Sequence, residues 1–221
     1  KIGAKWEAPN PAAVSNVIYL NNCKPNGCQL NPGYDNATTN TSSIPEQTST
    51  IAAFTGSDAT WNAVVNCVKQ TYADFDVQVV TTRPSSGSYH MAIVAGTPAQ
   101  VQYSSGVMGV SPFSCGYINN AISFTFANQA ANNVAELCWT VAQETAHAYG
   151  LAVDINPFMN PYVNDDLVLP ELAGAYLNRD WLRPGMLTPD AIGAFARIGW
   201  EWGGHWSSSK DYQHFAARDA R

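Results

Sequence analysis

The sequence predicts an α/β protein of the α+β type, in which helices cover a mixed, twisted sheet. Hydrophobic residues make up 46% of the 221 residues and charged residues only 13%, which is typical of a compact domain with a substantial core. Short β-branched and aromatic runs are interspersed with longer segments of helical apolar spacing. We therefore expect one domain over residues 1–221, with an N-terminal lobe at about 14–150 and a C-terminal lobe at about 151–221.

The strand candidates share β-branched and aromatic residues, and they lie at residues 17–20, 77–81, 91–94, 107–110 and 122–126. Residues 21–50 are rich in Asn, Thr, Ser, Gly and Pro, so we expect them to form a long surface loop. Residues 151–187 contain four prolines and are expected to be mostly irregular. The tail at 200–221 is aromatic and polar and shows no clear period.

Three segments have the apolar spacing of helices, and they cover residues 58–73, 128–150 and 188–199. The longest candidate ends at Gly150, and a glycine just past the last turn commonly supplies a left-handed C-cap. The C-terminal candidate begins at Thr188 and Pro189, an N-cap threonine followed by a proline at the first helical position.

The charge pattern argues against two classes of partner. The formal net charge is −6 and lysine and arginine form no cluster, so we expect neither nucleic acid nor an anionic membrane surface to bind. No apolar run reaches transmembrane length. No signal peptide is visible at the start, and we expect any such signal to have been removed from a mature chain.

Five cysteines, at positions 23, 28, 67, 115 and 138, indicate the redox compartment. Cys23 and Cys28 flank a turn-like Lys-Pro-Asn-Gly and are expected to form a local disulfide. Cys115 and Cys138 are candidates for a second, which leaves Cys67 as a buried free thiol, although spacing alone leaves the connectivity open. Low charge, paired cysteines and many Ser, Thr and Asn residues together favour a secreted, extracellular protein.

The segment Gln143–Asp154 reads Gln-Glu-Thr-Ala-His-Ala-Tyr-Gly-Leu-Ala-Val-Asp and carries the strongest functional signal. Gln143 and His147 lie four residues apart on the expected helix, so their side chains share one face and can bind one metal ion. Glu144 projects beside them, in position to act as general base toward a metal-bound water. After the glycine turns the chain, Asp154 is placed as a third ligand, and three protein ligands plus water form an open catalytic zinc site.

These residues resemble the metzincin family of zinc proteases, whose long motif is His-Glu-x-x-His-x-x-Gly-x-x-His, with aspartate as the last ligand in some branches. The resemblance covers about residues 16–200, and its specific motifs lie within 143–162. It implies a backing helix at 58–73, an active-site helix, a small C-terminal lobe with a methionine turn, and a C-terminal helix. Met159 stands at the place of the methionine turn, where it would form a hydrophobic floor under the metal.

Two positions depart from the family pattern or have alternatives. Gln143 replaces a histidine, and an amide oxygen is a weaker donor to zinc than an imidazole. The gametolysin group of this family is similar in including Gln-Glu-x-x-His members, so glutamine is compatible with a site of altered metal preference, including copper. Only four residues separate Asp154 from the methionine, so its ligand role has alternatives, which are His205, Asp165 and Asp166.

Tyr162 follows the methionine by three residues. In some metzincins a tyrosine near this turn stabilises the developing oxyanion, which a phenol can do. The resemblance therefore assigns a catalytic role to Tyr162, and the alternative is a half-buried structural aromatic.

Three functions are compatible with these residues. The leading one is a secreted metalloendopeptidase that holds zinc, or another divalent metal such as copper, and hydrolyses peptide bonds with Glu144 as general base. The second is an inactive metzincin-fold module for binding or inhibition, because Gln143 replaces the first histidine. The third is a glycan-binding domain that uses the tryptophan-rich tail. We expect a monomer that acts on a protein or peptide substrate, with no nucleic-acid or membrane partner.

Overall fold

A computed structural model describes residues 15–73, 75–112, 117–207 and 209–217. The chain divides into two compact units, residues 1–150 and residues 151–221. Helices and mixed sheets occur in the chain, so the α+β class predicted from the sequence is confirmed at that level. Within the described ranges, no helix combines the length and the apolar character needed to cross a membrane.

The first unit contains eight described strands, which are β1 (Val17–Asn21), β2 (Cys28–Pro32), β3 (Thr41–Ser42), β4 (Ser49–Ile51), β5 (Gln78–Val80), β6 (His90–Val94), β7 (Gly109–Val110) and β8 (Ile122–Thr125). Five of them form the main sheet in the order β5-β1-β6-β8-β7. The first four strands of that order are parallel, and β7 pairs antiparallel with β8 at the edge. All five residues of β6 are buried, as expected for a central parallel strand.

Two helices pack with this sheet, α1 (Asp58–Thr71) and α2 (Val134–Ala148). The Ser57 side chain accepts a hydrogen bond from the Thr60 amide and so caps α1. The α2 helix begins six residues later than predicted. Asn133 caps it by accepting from the Glu136 amide, and the preceding residues 127–129 form a separate 3-10 turn. An asparagine side chain that bonds to the backbone in this way favours the start of a helix over its interior. Apolar spacing alone does not detect such a start, so it predicts too long a helix.

The expected long loop at residues 21–50 is wrong in part, because it contains a small sheet of order β3-β2-β4. In it, β2 pairs antiparallel with β4, with Cys28 opposite Ile51 and Leu30 opposite Ser49. Leu30 and Ile51 are fully buried, so this sheet has an apolar face. Ladder hydrogen bonds between distant residues compensate for the low strand propensity of Asn and Pro in β2, and residue types alone do not reveal that pairing.

Two disulfides are present in the described residues. The predicted Cys23–Cys28 pair is confirmed. The pairing of Cys138 with Cys115 is wrong, because Cys138 bonds to Cys67, and Cys115 itself lies outside the described residues. Cys67 is on α1 and Cys138 on α2, so packing of these two helices brings the sulfurs together from 71 residues apart. The two disulfides fit an extracellular protein.

The second unit contains one α-helix and six described strands. These are α3 (Pro189–Arg197), β9 (Ala152–Asp154), β10 (Tyr162–Asn164), β11 (Leu167–Leu169), β12 (Trp200–Trp202), β13 (Lys210–Asp211) and β14 (His214–Ala217). They form two three-stranded sheets, β11-β10-β13 and β12-β14-β9. Residues 151–187 are mostly irregular, as expected, apart from the short strands β9, β10 and β11 and a 3-10 turn. The tail contains β12, β13 and β14, and strands of two to four residues are too short to show alternation in the sequence.

The C-terminal helix is where the sequence predicts it. The Thr188 hydroxyl accepts a hydrogen bond from the Ala191 amide, and Pro189 occupies the first turn. Phe195 of this helix stacks on Phe215 of β14, with ring centroids 4.0 Å apart. Phe215 is fully buried, so this stack anchors α3 on the sheet β12-β14-β9.

Candidate metal centre

The last turns of α2 carry the residues singled out in the sequence. Glu144 and His147 are buried, and Gln143 is half-buried one turn before His147. Gly150 then adopts φ 70°, a left-handed conformation that glycine reaches without strain, and the chain leaves the helix toward β9. Asp154 is the last residue of β9.

Asp154 is paired across the sheet with a residue that the sequence analysis did not select. In the antiparallel pair β9 and β14, Asp154 lies directly opposite His214. Residues opposite each other on neighbouring strands project to the same face. Accordingly, His214 Nδ1 and Asp154 Oδ1 are 2.9 Å apart.

His214 is almost completely buried, and this sets its electrostatics. Burial by itself lowers the pKa of His214, but the hydrogen bond to Asp154 and the negative charges of Asp154 and Asp211 outweigh it, so the pKa is raised overall. A buried imidazole held by a carboxylate in this way has a defined orientation.

His147, Asp154 and His214 form a group in which one ligand atom from each residue lies within 4.8 Å of the others. Two imidazole nitrogens and one carboxylate oxygen are a donor set that suits zinc, and three protein ligands leave a coordination position open. Two members, His147 and Asp154, were selected from the sequence. Within the described part of the chain, His205, Asp165 and Asp166 do not belong to such a group.

The position of Asp154 relative to the motif explains why its side chain faces His214. In His-x-x-Gly-x-x-His the last ligand follows the glycine by three residues, which here is Val153. Asp154 lies one residue farther along, and in β9 successive side chains point to opposite faces. The shift therefore presents Asp154 on the face of β9 where His214 of β14 lies.

Asp211 lies three residues before His214, at the end of β13, and is buried. Its Oδ1 has no hydrogen-bond partner among the described residues, whereas Gln213 hydrogen-bonds to the carboxylate. The pKa of Asp211 is raised to about 7, mainly by burial and also by the charge of Asp154, while His214 and Gln213 act to lower it. A carboxyl group in this state can accept or donate a proton near neutral pH.

The sequence analysis missed both Asp211 and His214. The signal that could have found them is Asp-Tyr-Gln-His at 211–214, which repeats the acidic-x-x-His spacing of Glu144 and His147. This signal is weak alone, because such a spacing occurs by chance in many sequences.

Glu144 is buried beside the edge strand of the main sheet. A Cβ atom added at Gly109 of β7 would lie 2.5 Å from Glu144 Oε1 and 2.6 Å from its Cγ, so only glycine lets the strand pass this close. The charge of Glu144 also contributes to raising the pKa of Tyr103, after burial. These contacts place the Glu144 side chain against β7 in the first unit.

Tyr162 and Met159 both lie in the second unit. Tyr162 begins β10 and is the cross-strand partner of Asp211. The Met159 side chain packs against Gly185, where an added Cβ would come within 3.0 Å of Met159 Cγ. Both residues therefore have structural contacts in the second unit, whichever chemical role they play.

The sequence model of a peptidase family described as D-alanyl-D-alanine carboxypeptidase matches residues 140–217, about a third of the chain. The matched stretch contains His147, Asp154, Asp211 and His214. It supports a zinc metallopeptidase. It does not single out the metzincins, nor an endopeptidase. No curated protein and no solved structure matches this chain.

Proposed function

We propose that the chain is a secreted, metal-dependent peptidase with His147, Asp154 and His214 as metal ligands and Asp211 as the proton-transferring residue. The observation that carries this proposal is the convergence of three ligand atoms within 4.8 Å, next to a buried carboxylate in electrostatic contact with two of the three residues. The peptidase-family match over residues 140–217 supports it independently.

The donor set fits zinc. Asp154 contributes a carboxylate oxygen and the two histidines contribute imidazole nitrogens, which is the balance of borderline-soft and hard donors that zinc prefers. A bound zinc ion would polarise the scissile carbonyl and make water more acidic.

The role of Asp211 is to receive the proton of the attacking water and to pass it to the leaving amine. Its unpartnered Oδ1 is available for that proton, and burial holds its pKa well above the ordinary aspartate range. The hydrogen bond between Asp154 and His214 holds the two candidate ligand side chains next to each other on one face of the sheet β12-β14-β9.

We infer the substrate class from the family that matches. Its description names D-alanyl-D-alanine, so we propose a peptide that ends in two D-alanine residues as the first substrate to test. The endopeptidase activity predicted from the metzincin resemblance is the alternative, with an unfolded protein such as casein as its substrate.

The experiment compares Asp211→Asn with Glu144→Gln in the full chain, on both substrates. Asp211→Asn should lower kcat by about 10²- to 10⁴-fold, which is the usual contribution of a general acid–base residue, while zinc stays bound. Glu144→Gln should retain most of the activity. A Glu144→Gln protein that is inactive beside an active Asp211→Asn protein would overturn the assignment of Asp211.

The same variants test the metzincin-like alternative, in which Gln143, His147 and Asp154 hold the metal and Glu144 is the base. The order of elements in the first unit, from β1 and α1 through β8 to α2, supports that alternative. It requires that Gln143→Ala, and not His214→Ala, releases zinc. Zinc-loaded protein that hydrolyses neither substrate would instead favour the binding or inhibitory module.

A further inference from the structure

We propose that Gly203 is a positioning residue for Asp211: it lets the chain pack so closely that the backbone of Asp211 is held in one place. The inference rests on the proposed function, because it matters for catalysis only if Asp211 transfers the proton. Gly203 itself would touch neither substrate nor metal.

The contact between the two residues leaves no room for a side chain. A Cβ atom added at Gly203 would lie 2.6 Å from the Asp211 carbonyl oxygen and 2.9 Å from Asp211 Cβ. Gly203 is buried and its φ is outside the left-handed region, so its φ does not by itself require glycine. Close approach to Asp211 is therefore the reason for glycine at this position.

Neighbouring contacts hold the same stretch of chain. Trp202 Nε1 donates a hydrogen bond to the Tyr212 carbonyl oxygen over 2.9 Å. The guanidinium carbon of Arg179 lies 4.8 Å from the centre of the Tyr212 ring. On the other side, Asp211 is paired with Tyr162 of β10. The backbone at 211–212 is thus fixed by a ladder on one side and by Gly203 with Trp202 on the other.

This backbone placement decides where the reactive oxygen lies. Asp211 Oδ1 has no hydrogen-bond partner among the residues that the structure describes, while Gln213 hydrogen-bonds to the carboxylate from two residues farther along the chain. The position of Oδ1 therefore depends on where the backbone at 211–213 lies. A side chain at Gly203 would displace this backbone and move the carboxylate relative to His214 and Asp154.

The test compares Gly203→Ala with two matched glycine variants in the full chain. Gly56→Ala introduces a clash in the first unit, where the added Cβ would lie 2.3 Å from the Phe54 ring and 2.7 Å from the Ala131 carbonyl oxygen. Gly174→Ala introduces none, because nothing lies within 4 Å of the added Cβ. Tm, bound zinc, kcat and KM are measured for each, with a peptide ending in D-Ala-D-Ala and with casein.

Gly203→Ala should lower kcat by about 10- to 100-fold, because a displacement of about 1 Å can cost this much, with KM and bound zinc close to wild type. Gly56→Ala should lower Tm at least as much and leave kcat within about twofold, a change of less than ~0.5 kcal/mol in the barrier. Equal loss of kcat in both variants at equal loss of Tm would overturn the positioning role.

Two further variants keep the inference testable. Should Gly203→Ala not fold, Trp202→Phe removes the hydrogen bond to Tyr212 but keeps an aromatic ring, and Trp200→Phe in the same strand is its control. Wild-type kcat in Trp202→Phe would then overturn the inference. Asp211→Asn is measured in parallel: an active Asp211→Asn protein refutes the proposed function, whereas an inactive one beside an unaffected Gly203→Ala refutes only the positioning.

Discussion

His90 is a buried histidine for which neither ring nitrogen has a hydrogen-bond partner in the described ranges. Its ring lies between Tyr117 and Tyr149, with centroids 5.2 Å and 4.4 Å away. Both tyrosine hydroxyls are engaged with the backbone of Ser15 and do not reach the imidazole. Burial lowers the pKa of His90 from 6.5 to about 4, because no negative charge compensates for desolvation.

This residue makes the fold sensitive to acid. Between pH 6.5 and pH 4 the unfolded chain binds a proton at His90 and the folded chain does not, so the free energy of unfolding falls as the pH falls. From pH 7 to pH 5 the contribution of His90 should fall by about 2 kcal/mol. His90→Phe should lack this contribution, as measured by denaturant unfolding at both pH values.

The control for this prediction is the difference between the two proteins at each pH. Asp211 and His214 have raised pKa values in the fold, so their contributions to stability increase as the pH falls, which is the opposite sign. Both groups are present in wild type and in His90→Phe, so they cancel in the difference. A difference that does not change between pH 7 and pH 5 would contradict the prediction.

At the scale of single elements, a few side chains set where a helix begins and how it packs. The helix α3 begins at the Thr188 cap and is anchored by the stack of Phe195 on Phe215. Thr188→Ala should lower the free energy of unfolding by about 1 kcal/mol, because the Ala191 amide loses its acceptor. Thr188→Ser keeps the oxygen and should restore the stability; equal losses in both variants would refute the capping role.

The Cys67–Cys138 disulfide should stabilise the first unit more than the Cys23–Cys28 disulfide does. Their sequence separations are 71 and 5 residues, and a longer loop loses more entropy in the unfolded chain when it is closed. Loop-closure entropy gives about 4 kcal/mol for the first and about 2 kcal/mol for the second. Denaturant unfolding of Cys67→Ala/Cys138→Ala and of Cys23→Ala/Cys28→Ala measures the two losses in free energy of unfolding. A larger loss in Cys23→Ala/Cys28→Ala would contradict the prediction.

At the scale of the whole molecule, metal binding should be linked to folding. The candidate ligand atoms of His147, Asp154 and His214 come together only in the fold, so zinc held by them would bind the folded chain better than the unfolded one. Zinc at about 100 times its Kd should add about 2.7 kcal/mol. That corresponds to a rise in Tm of roughly 5 to 10 °C for a chain of this size.

Differential scanning calorimetry with zinc and with excess chelator measures this shift. His214→Ala should remove it, and so should Asp154→Ala. His205→Ala is the matched control, because His205 is an exposed histidine outside the ligand group and should leave the shift intact. A zinc-dependent Tm in His214→Ala would contradict the ligand assignment.

Local chemistry determined much of this protein from sequence. The caps at Ser57 and Thr188 and the left-handed turn at Gly150 depend on neighbours within four residues, and the structure contains all three. His147 and Asp154 could also be selected from the sequence, because one helix and the turn after it carry both residues. Interactions between near neighbours are readable because their geometry is nearly the same in every protein.

Contacts between residues far apart in the sequence were decided only by the tertiary structure. Leu30 opposite Ser49, Cys67 beside Cys138, and Asp154 opposite His214 are each set by packing or by strand register. Register between short strands leaves almost no trace in residue types, because each pair here includes a strand of only three residues, which cannot show a period. The sequence by itself therefore predicted two members of the candidate metal group, and the pairing of β9 with β14 supplied the third.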